Sequence, residues 1–137
     1  MAESGATGRG THASEISDGL VSLHKQYYGR GPTQARTYLV NDTVISLLRG
    51  GFTQIERTLI DQGNADAVHE MRRNFQAVMR EEFSNVVEKA TGRKVVAYMS
   101  QIHSDPDIAV EIFVLEDGGA PLLDQHEALI HEDEPEG

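Results

Sequence analysis

The chain has 137 residues, with 12 lysines and arginines against 22 acidic residues and a net charge of −10. This length accommodates one domain with tails, and the absence of cysteine excludes disulfide frameworks and thiolate metal sites. No apolar run approaches the ~18 residues of a membrane span, and the first residues lack the basic and then apolar layout of a signal peptide. We therefore expect a cytoplasmic protein without direct membrane insertion.

The acidity is concentrated at the C-terminal end. Residues 116–137 contain eight acids and no lysine or arginine, whereas residues 14–115 contain 13 acids and 11 bases. The eight acids are Glu116, Asp117, Asp124, Glu127, Glu132, Asp133, Glu134 and Glu136. A nearly balanced folded part is unsuited to nonspecific nucleic-acid binding, which relies on neutralising phosphates. We predict an acidic tail and no nucleic-acid partner.

The first half of the chain predicts a tail, a helix and a hairpin. Residues 1–13 are small and polar, which indicates a disordered tail. A helix is predicted from its N-cap Ser14 to Gly29, because apolar residues recur at helical spacing. The β-rich runs TYLVN and TVISLL flank the polar pair Asn41-Asp42, which indicates a hairpin that ends at Gly50-Gly51.

A capping box marks the start of the next helix. In the sequence Thr53-Gln54-Ile55-Glu56 the threonine side chain can cap the amide of Glu56, while the glutamate reaches back to the amide of Thr53. This arrangement gives Glu56 a structural role, which we prefer to a catalytic one.

The second half predicts a long helix and a second hairpin. Apolar positions over residues 65–91 cover about half of the helix circumference, wider than the ~100° stripe of an ordinary surface helix, and Gly92 ends the helix. The runs KVVAYMSQI and IAVEIFVL flank Ser104-Asp105-Pro106-Asp107, which is typical of a tight turn.

These elements predict an α+β domain over residues 14–116, in the order α-ββ-αα-ββ, followed by an acidic tail over residues 117–137. Two hairpins cannot bury their apolar faces alone, so we expect one mainly antiparallel, four-stranded sheet with helices packed on one face. Surplus apolar surface on the long helix and the second hairpin predicts a homodimer. The tail has little to bury, and deleting residues 120–137 is predicted to leave the melting temperature nearly unchanged.

The segment Gly29-Arg30-Gly31-Pro32 allows two interpretations. A left-handed glycine followed by a proline is a common way to end a helix. The second glycine is not needed for that purpose, and glycine amides together with Arg30, Thr33 and Arg36 could form a cradle for an anion. Both interpretations can hold at once.

Arg72 falls within the apolar face of the predicted long helix. An arginine directed at a core must be paired or line a cavity. It is therefore either half of an internal ion pair or part of an anion site that faces the glycine turn. The predicted ligand-binding residues are Gly29, Arg30, Gly31, Thr33, Arg36 and Arg72.

No metal site, cofactor site or catalytic set is predicted. The run HEALIHEDE imitates a zinc-protease motif, but His126 and His131 are five residues apart instead of four. His103, Asp105 and Asp107 are better explained as polar turn residues than as metal ligands.

The chain resembles the MpsC-like family, which is named after a sodium-translocating, membrane-potential-generating system. The features that carry the resemblance are the GRGP turn, the Phe-Thr-x-x-Glu segment at 52–56, the pair Arg72-Arg73 and the TGR sequence at 91–93. The similarity covers roughly residues 16–116, with Phe52 at a position where the family is expected to have leucine. It implies an accessory or regulatory role in sodium transport or bicarbonate-linked energetics, and it supplies no catalytic residues.

Our leading hypothesis is a non-enzymatic dimeric domain that binds an anionic ligand or a protein partner, including a membrane-protein partner. The alternative is an enzyme that acts on a small phosphorylated or carboxylated metabolite through the arginines and Asp42 or Asp105. A third class, an RNA-binding sheet, is disfavoured because no strand carries an aromatic-rich motif.

Overall fold

The computed structural model describes residues 11–117 and 122–130. Within these residues the chain forms four helices and five strands. The elements, in chain order, are α1 (Thr11–Tyr28), β1 (Gln34–Asn41), β2 (Thr43–Arg49), α2 (Gln54–Asp61), α3 (Ala65–Val78), α4 (Arg80–Thr91), β3 (Val95–His103), β4 (Ile108–Leu115) and β5 (Leu122–Leu129).

The strands form one sheet in the order β3-β4-β2-β1-β5, and every neighbouring pair is antiparallel. Both predicted hairpins are present, with Val40 opposite Thr43 in the first and His103 opposite Ile108 in the second. The predicted α+β class and antiparallel sheet are therefore confirmed.

The sheet has a fifth strand that lies inside the segment predicted to be an acidic tail. β5 pairs with β1 along its whole length, from Gln34 opposite Leu129 to Asn41 opposite Leu122. The amide of Ile130 also donates to the carbonyl of Thr33 at 2.7 Å. The fold thus continues past the predicted boundary at residue 116. This strand was not predicted because its sequence is acidic and lacks a clear apolar alternation. Its pairing with β1 is made by backbone groups, which do not depend on that pattern.

Deletion of residues 118–137 is expected to lower the melting temperature by more than about 5 °C, which corresponds to roughly 1 kcal/mol in a domain of this size. The physical reason is that the deletion removes the β1–β5 ladder. Differential scanning calorimetry would measure the change, with a deletion of residues 131–137 as a control that leaves β5 complete. An unchanged melting temperature after the longer deletion would restore the interpretation of this segment as a dispensable tail.

The helices differ from the predictions at two positions. The first helix begins at Thr11 instead of Ser14, and the predicted long helix divides at Met79 into α3 and α4. Met79 has φ −91° and ψ 5°, and its amide still donates to the carbonyl of Phe75 at 2.9 Å. Apolar residues continue across this break, so their spacing predicts one helix where the backbone forms two.

The helices cover one face of the sheet. The strand residues Ala35, Thr37 and Leu39 are buried, and their neighbours in β1 are half-buried or exposed, because successive side chains point to opposite faces. The largest core cluster joins α1, α4 and the sheet. Its fully buried members are Ala13, Ile16, Leu20, Leu39, Val44, Phe83, Val87 and Phe113. A smaller cluster of Phe52, Val68 and Ile102 lies under α2 and α3.

Candidate functional site

Arg72 forms a buried ion pair with Glu56. The guanidinium donates from Nε to Glu56 Oε2 at 2.7 Å and from Nη2 to Oε1 at 2.6 Å. The two residues are only 3% and 2% exposed, so the pair links α3 to α2 inside the protein. Burial by itself raises the pKa of Glu56, but the hydrogen bonds and charge of Arg72 bring it below its ordinary value.

The predicted capping box is present and is part of the same network. Glu56 Oε1 accepts from the amide of Thr53 at 2.8 Å, and Thr53 Oγ1 accepts from the amide of Glu56 at 3.1 Å. Arg72 also lies over the ring of Tyr28, with its guanidinium carbon 3.8 Å from the ring centre. The network therefore joins the C-terminal end of α1 and the N-terminal end of α2 to the middle of α3.

Three side chains hold the loop at residues 50–52 in place. Arg30 donates to the carbonyl of Gly50 at 3.0 Å, Arg72 donates to that of Gly51 at 3.1 Å, and Asp107 Oδ2 accepts from the amide of Phe52 at 3.0 Å. Gly50 has a φ of 73°, and a Cβ there would collide with Thr33. Arg30 and Arg72 thus converge on one loop, where both bind backbone oxygens.

The remaining predicted ligand-binding residues lie in two regions: Gly29, Gly31 and Thr33 lie near the end of α1 and the loop at 50–52, whereas Arg36 lies further along β1. Gly29 closes α1 with a φ of 84°, and its amide donates to the carbonyl of Lys25 at 3.0 Å, as the helix-stop interpretation requires. The amide of Thr33 donates to the carbonyl of Arg49 at 2.8 Å. Arg36 alternates with the buried residues of β1 and so lies on the sheet face opposite the helices. Gly31 packs against the C-terminal half of α1.

A polar cleft of about 40 Å³ opens between α3 and β3. Its lining residues are His69, Arg72, Arg73, Gln76, Ser100, Gln101 and Ile102. A second cavity, beside the loop at 50–52, has only about 10 Å³. The cleft shares Arg72 with the predicted set and otherwise consists of residues that the sequence analysis did not select.

Behind this cleft lies a buried carboxyl group. Glu111 on β4 is fully buried, and the hydroxyl of Tyr98 lies 2.5 Å from Glu111 Oε1 and 2.8 Å from Gln76 Oε1. Burial raises the pKa of Glu111 to about 7. Its signal in the sequence is a single acid within the apolar strand IAVEIFVL, on the same face as Phe113 and Leu115.

Three buried hydroxyl groups form a polar row that extends from Glu111 across the sheet. Ser17 on α1 lies 2.7 Å from Thr37 Oγ1, which lies 2.9 Å from Ser46 Oγ. Ser46 is the register partner of Glu111. One polar row therefore runs beneath the helices from α1 to the α3–β3 cleft.

His24 is a second buried titratable group, on α1. Its Nδ1 lies 2.8 Å from the carbonyl oxygen of Leu20, so Nδ1 carries a proton and donates it. Its ring stacks on Phe83 with the ring centres 5.3 Å apart. Burial lowers the pKa of His24 to about 4, and the ring is neutral at physiological pH.

Two classes of site are absent from the part of the chain that the structure describes. Residues 11–117 and 122–130 hold no group of three or more histidine, cysteine or acidic side chains that could bind a metal ion. No helix in these ranges has both the length and the apolar character needed to span a membrane. The histidines at 126 and 131 lie outside the described side chains.

Comparison with known proteins identifies the family. A family model described as "Na+-translocating membrane potential-generating system (MpsC)" matches residues 8–117. The uncharacterized protein YrhF of Bacillus subtilis (strain 168) is 27% identical over 117 residues, which cover 84% of this chain and 93% of that protein. YbcI of the same strain is 26% identical over 110 residues, with coverage of 78% and 87%. No solved structure matches the chain. The family model spans most of the sequence, including the capping box and Arg72, and the chain belongs to the MpsC family.

Proposed function

We propose that this protein is a non-enzymatic domain that forms a homodimer, binds an anionic ligand or a protein partner, and acts as an accessory of membrane energetics or ion transport. The description of the family supports the link to membrane energetics. The observation that carries the proposal of self-association is the sheet face opposite the helices.

That face carries an apolar row across four strands. In the strand register Met99 is opposite Ile112, Ile112 is opposite Ile45, and Ile45 is opposite Tyr38. All four alternate with the buried residues of their strands, and Met99 is 50% exposed. An apolar patch of this continuity on a small domain is typical of an interface.

The projected area of the face is of the same order as the accessible surface that a standard interface buries on each partner. Strands of about eight residues at ~3.3 Å per residue, spaced ~4.8 Å apart, give a five-stranded face of roughly 600 Å². A standard interface buries about 800 Å² of accessible surface on each partner. A two-fold axis near Ile45 and Ile112 would pack the apolar row against its own copy and leave polar residues at the rim.

The substitution Ile112→Lys is expected to convert the dimer to a monomer at micromolar concentration, because it places a charge at the centre of the packed row. Sedimentation velocity would measure the change. Val78→Lys is the matched control, since Val78 is 77% exposed on the helical side. A wild-type monomer at micromolar concentration, or an Ile112→Lys variant that remains dimeric, would refute the proposed interface.

A thermal-shift screen of carboxylates, phosphates and nucleotides tests the ligand part of the proposal, because specific binding to the folded state raises the melting temperature by mass action. A ligand that stabilises the protein and is recovered unchanged supports a binding domain. Turnover of that ligand would contradict the non-enzymatic assignment.

A further inference from the structure

The hydroxyl of Tyr98 has one proton and two close acceptors. It lies 2.5 Å from Glu111 Oε1 and 2.8 Å from Gln76 Oε1. A phenol donates one hydrogen bond, so both contacts are hydrogen bonds only if one neighbour also donates. A protonated Glu111 does so: the carboxyl O–H donates to Tyr98, and Tyr98 donates to Gln76.

Gln76 is the last residue in this series of hydrogen bonds, and it lies at the cleft. It is 5% exposed, and its Nε2 has no hydrogen-bond partner within the described residues. The residue also lines the α3–β3 cleft. With the carbonyl of Gln76 occupied by Tyr98, the amide N–H₂ is left as a buried donor without an acceptor, which costs free energy until an acceptor arrives.

The other polar groups of the cleft favour a negatively charged acceptor. Arg73 is exposed beside the buried Arg72, and His69 and Ser100 complete the polar lining. An opening of about 40 Å³ has room for one small group and not for a nucleotide. Guanidinium, amide and hydroxyl donors around such a space suit a single carboxylate group.

We propose that the α3–β3 cleft binds a small carboxylate anion and that this binding requires a proton on Glu111, transmitted through Tyr98 to the amide of Gln76. The inference rests on the proposed binding function and names its site. When Glu111 is ionised, the hydroxyl of Tyr98 donates its hydrogen bond to Glu111 and no longer to Gln76. The Gln76 amide then gains a hydrogen bond only by turning its N–H₂ to Tyr98 and its carbonyl to the cleft, where the carbonyl repels an anion.

Several other groups influence this equilibrium and define the controls. Burial opposes ionisation of Glu111 and has the largest effect, whereas hydrogen bonding to Tyr98 and Ser100 and the charge of Arg72 favour it. His69 also lines the cleft. The groups that face Glu111 from the surrounding elements are Tyr98 and Ser100 on β3, Gln76 and Arg72 on α3, Ser46 on β2, and Tyr28 at the end of α1.

The test is a titration with sodium acetate, monitored by isothermal calorimetry or by amide NMR shifts. Sodium chloride at equal ionic strength is the control. With a pKa of about 7 for Glu111, the competent fraction falls from about 0.9 at pH 6 to about 0.1 at pH 8, and the apparent affinity falls about tenfold. At pH 8, calorimetry in Hepes and in Tris should show uptake of nearly one proton per acetate bound.

Variants identify the groups responsible. Glu111→Gln keeps a donor toward Tyr98 and should bind acetate equally at pH 6 and pH 8. Gln76→Leu should weaken binding at pH 6 at least tenfold. Asn74→Leu, which also replaces a side-chain amide by leucine but at an exposed position of α3, should not. His69→Gln should keep the pH dependence.

The proposal is overturned if acetate does not bind at millimolar concentration at pH 6. It is also overturned if the pH dependence survives in Glu111→Gln or disappears in His69→Gln. Sedimentation distinguishes failure of this proposal from failure of the proposed function. A protein that is dimeric but does not bind acetate contradicts only the proposed cleft site. A monomer that binds acetate rejects only the dimer.

Discussion

The substitution Arg72→Ala is expected to lower the free energy of unfolding by about 3–5 kcal/mol, the usual cost of removing one partner from a buried ion pair. The change leaves the carboxylate of Glu56 buried without the two hydrogen bonds from Arg72, so that, among the described residues, only the one from the amide of Thr53 remains. It also removes the donor to the carbonyl of Gly51 and the cation that lies over Tyr28. Denaturant unfolding with linear extrapolation would measure the loss.

Neighbouring Arg73 is the matched control. It is exposed on the same helix, and Arg73→Ala is expected to change stability by less than about 0.5 kcal/mol, as is usual for surface positions. Arg72→Lys should fall between the two, because an ammonium keeps the charge but not the paired hydrogen bonds. Equal, small effects of Arg72→Ala and Arg73→Ala would contradict a structural role for the pair.

The second large effect is the pH dependence of stability that Glu111 imposes. Its pKa is raised from an ordinary 4.5 to about 7 by burial, so the folded state holds a proton that the unfolded state releases. This contribution to stability is complete below pH 4.5 and is lost as the pH rises through 7. Between pH 5 and pH 8 the wild-type protein should lose about 2–3 kcal/mol relative to Glu111→Gln.

His24 acts in the opposite direction and is the reason to compare variants at each pH. Because burial lowers its pKa to about 4, its contribution is lost as the pH falls from 6.5 through 4. It acts equally on the wild-type protein and on Glu111→Gln, so the difference between the two urea unfolding curves isolates Glu111. Parallel pH profiles for the two proteins would show that the carboxyl group titrates normally.

The sequence predicted the features that depend on neighbours in the chain. The capping box at Thr53 and Glu56 needs four residues, and the left-handed caps at Gly29 and Gly92 need one glycine each. The apolar position of Arg72 correctly indicated a paired or cavity-lining side chain. Its partner could not be assigned, because the pairing depends on how α3 packs against α2.

The rest of the site depends on strand register and on helix packing. Gln76, Tyr98 and Glu111 lie on three different elements, and only the register of β3 with β4 brings the last two together. For the same reason the sequence did not indicate that alternation along β1 directs Arg36, one of the predicted cradle residues, away from the helices. A single acid in an apolar strand, Glu111, is the one local sign that this face of the sheet carries buried polar groups as well as the core.

The position of β5 also determines what this protein presents at the end of its sheet. Without β5, the outermost strand would be β1, whose sequence TYLVN has high β-propensity and unpaired backbone groups along eight residues. Such edges are templates for strand addition by other chains, and natural proteins protect them with charged residues. β5 takes the outer position with a sequence that contains Asp124 and Glu127. We therefore expect β5 to keep β1 from pairing with strands of other chains, because it occupies that edge along the full length of β1.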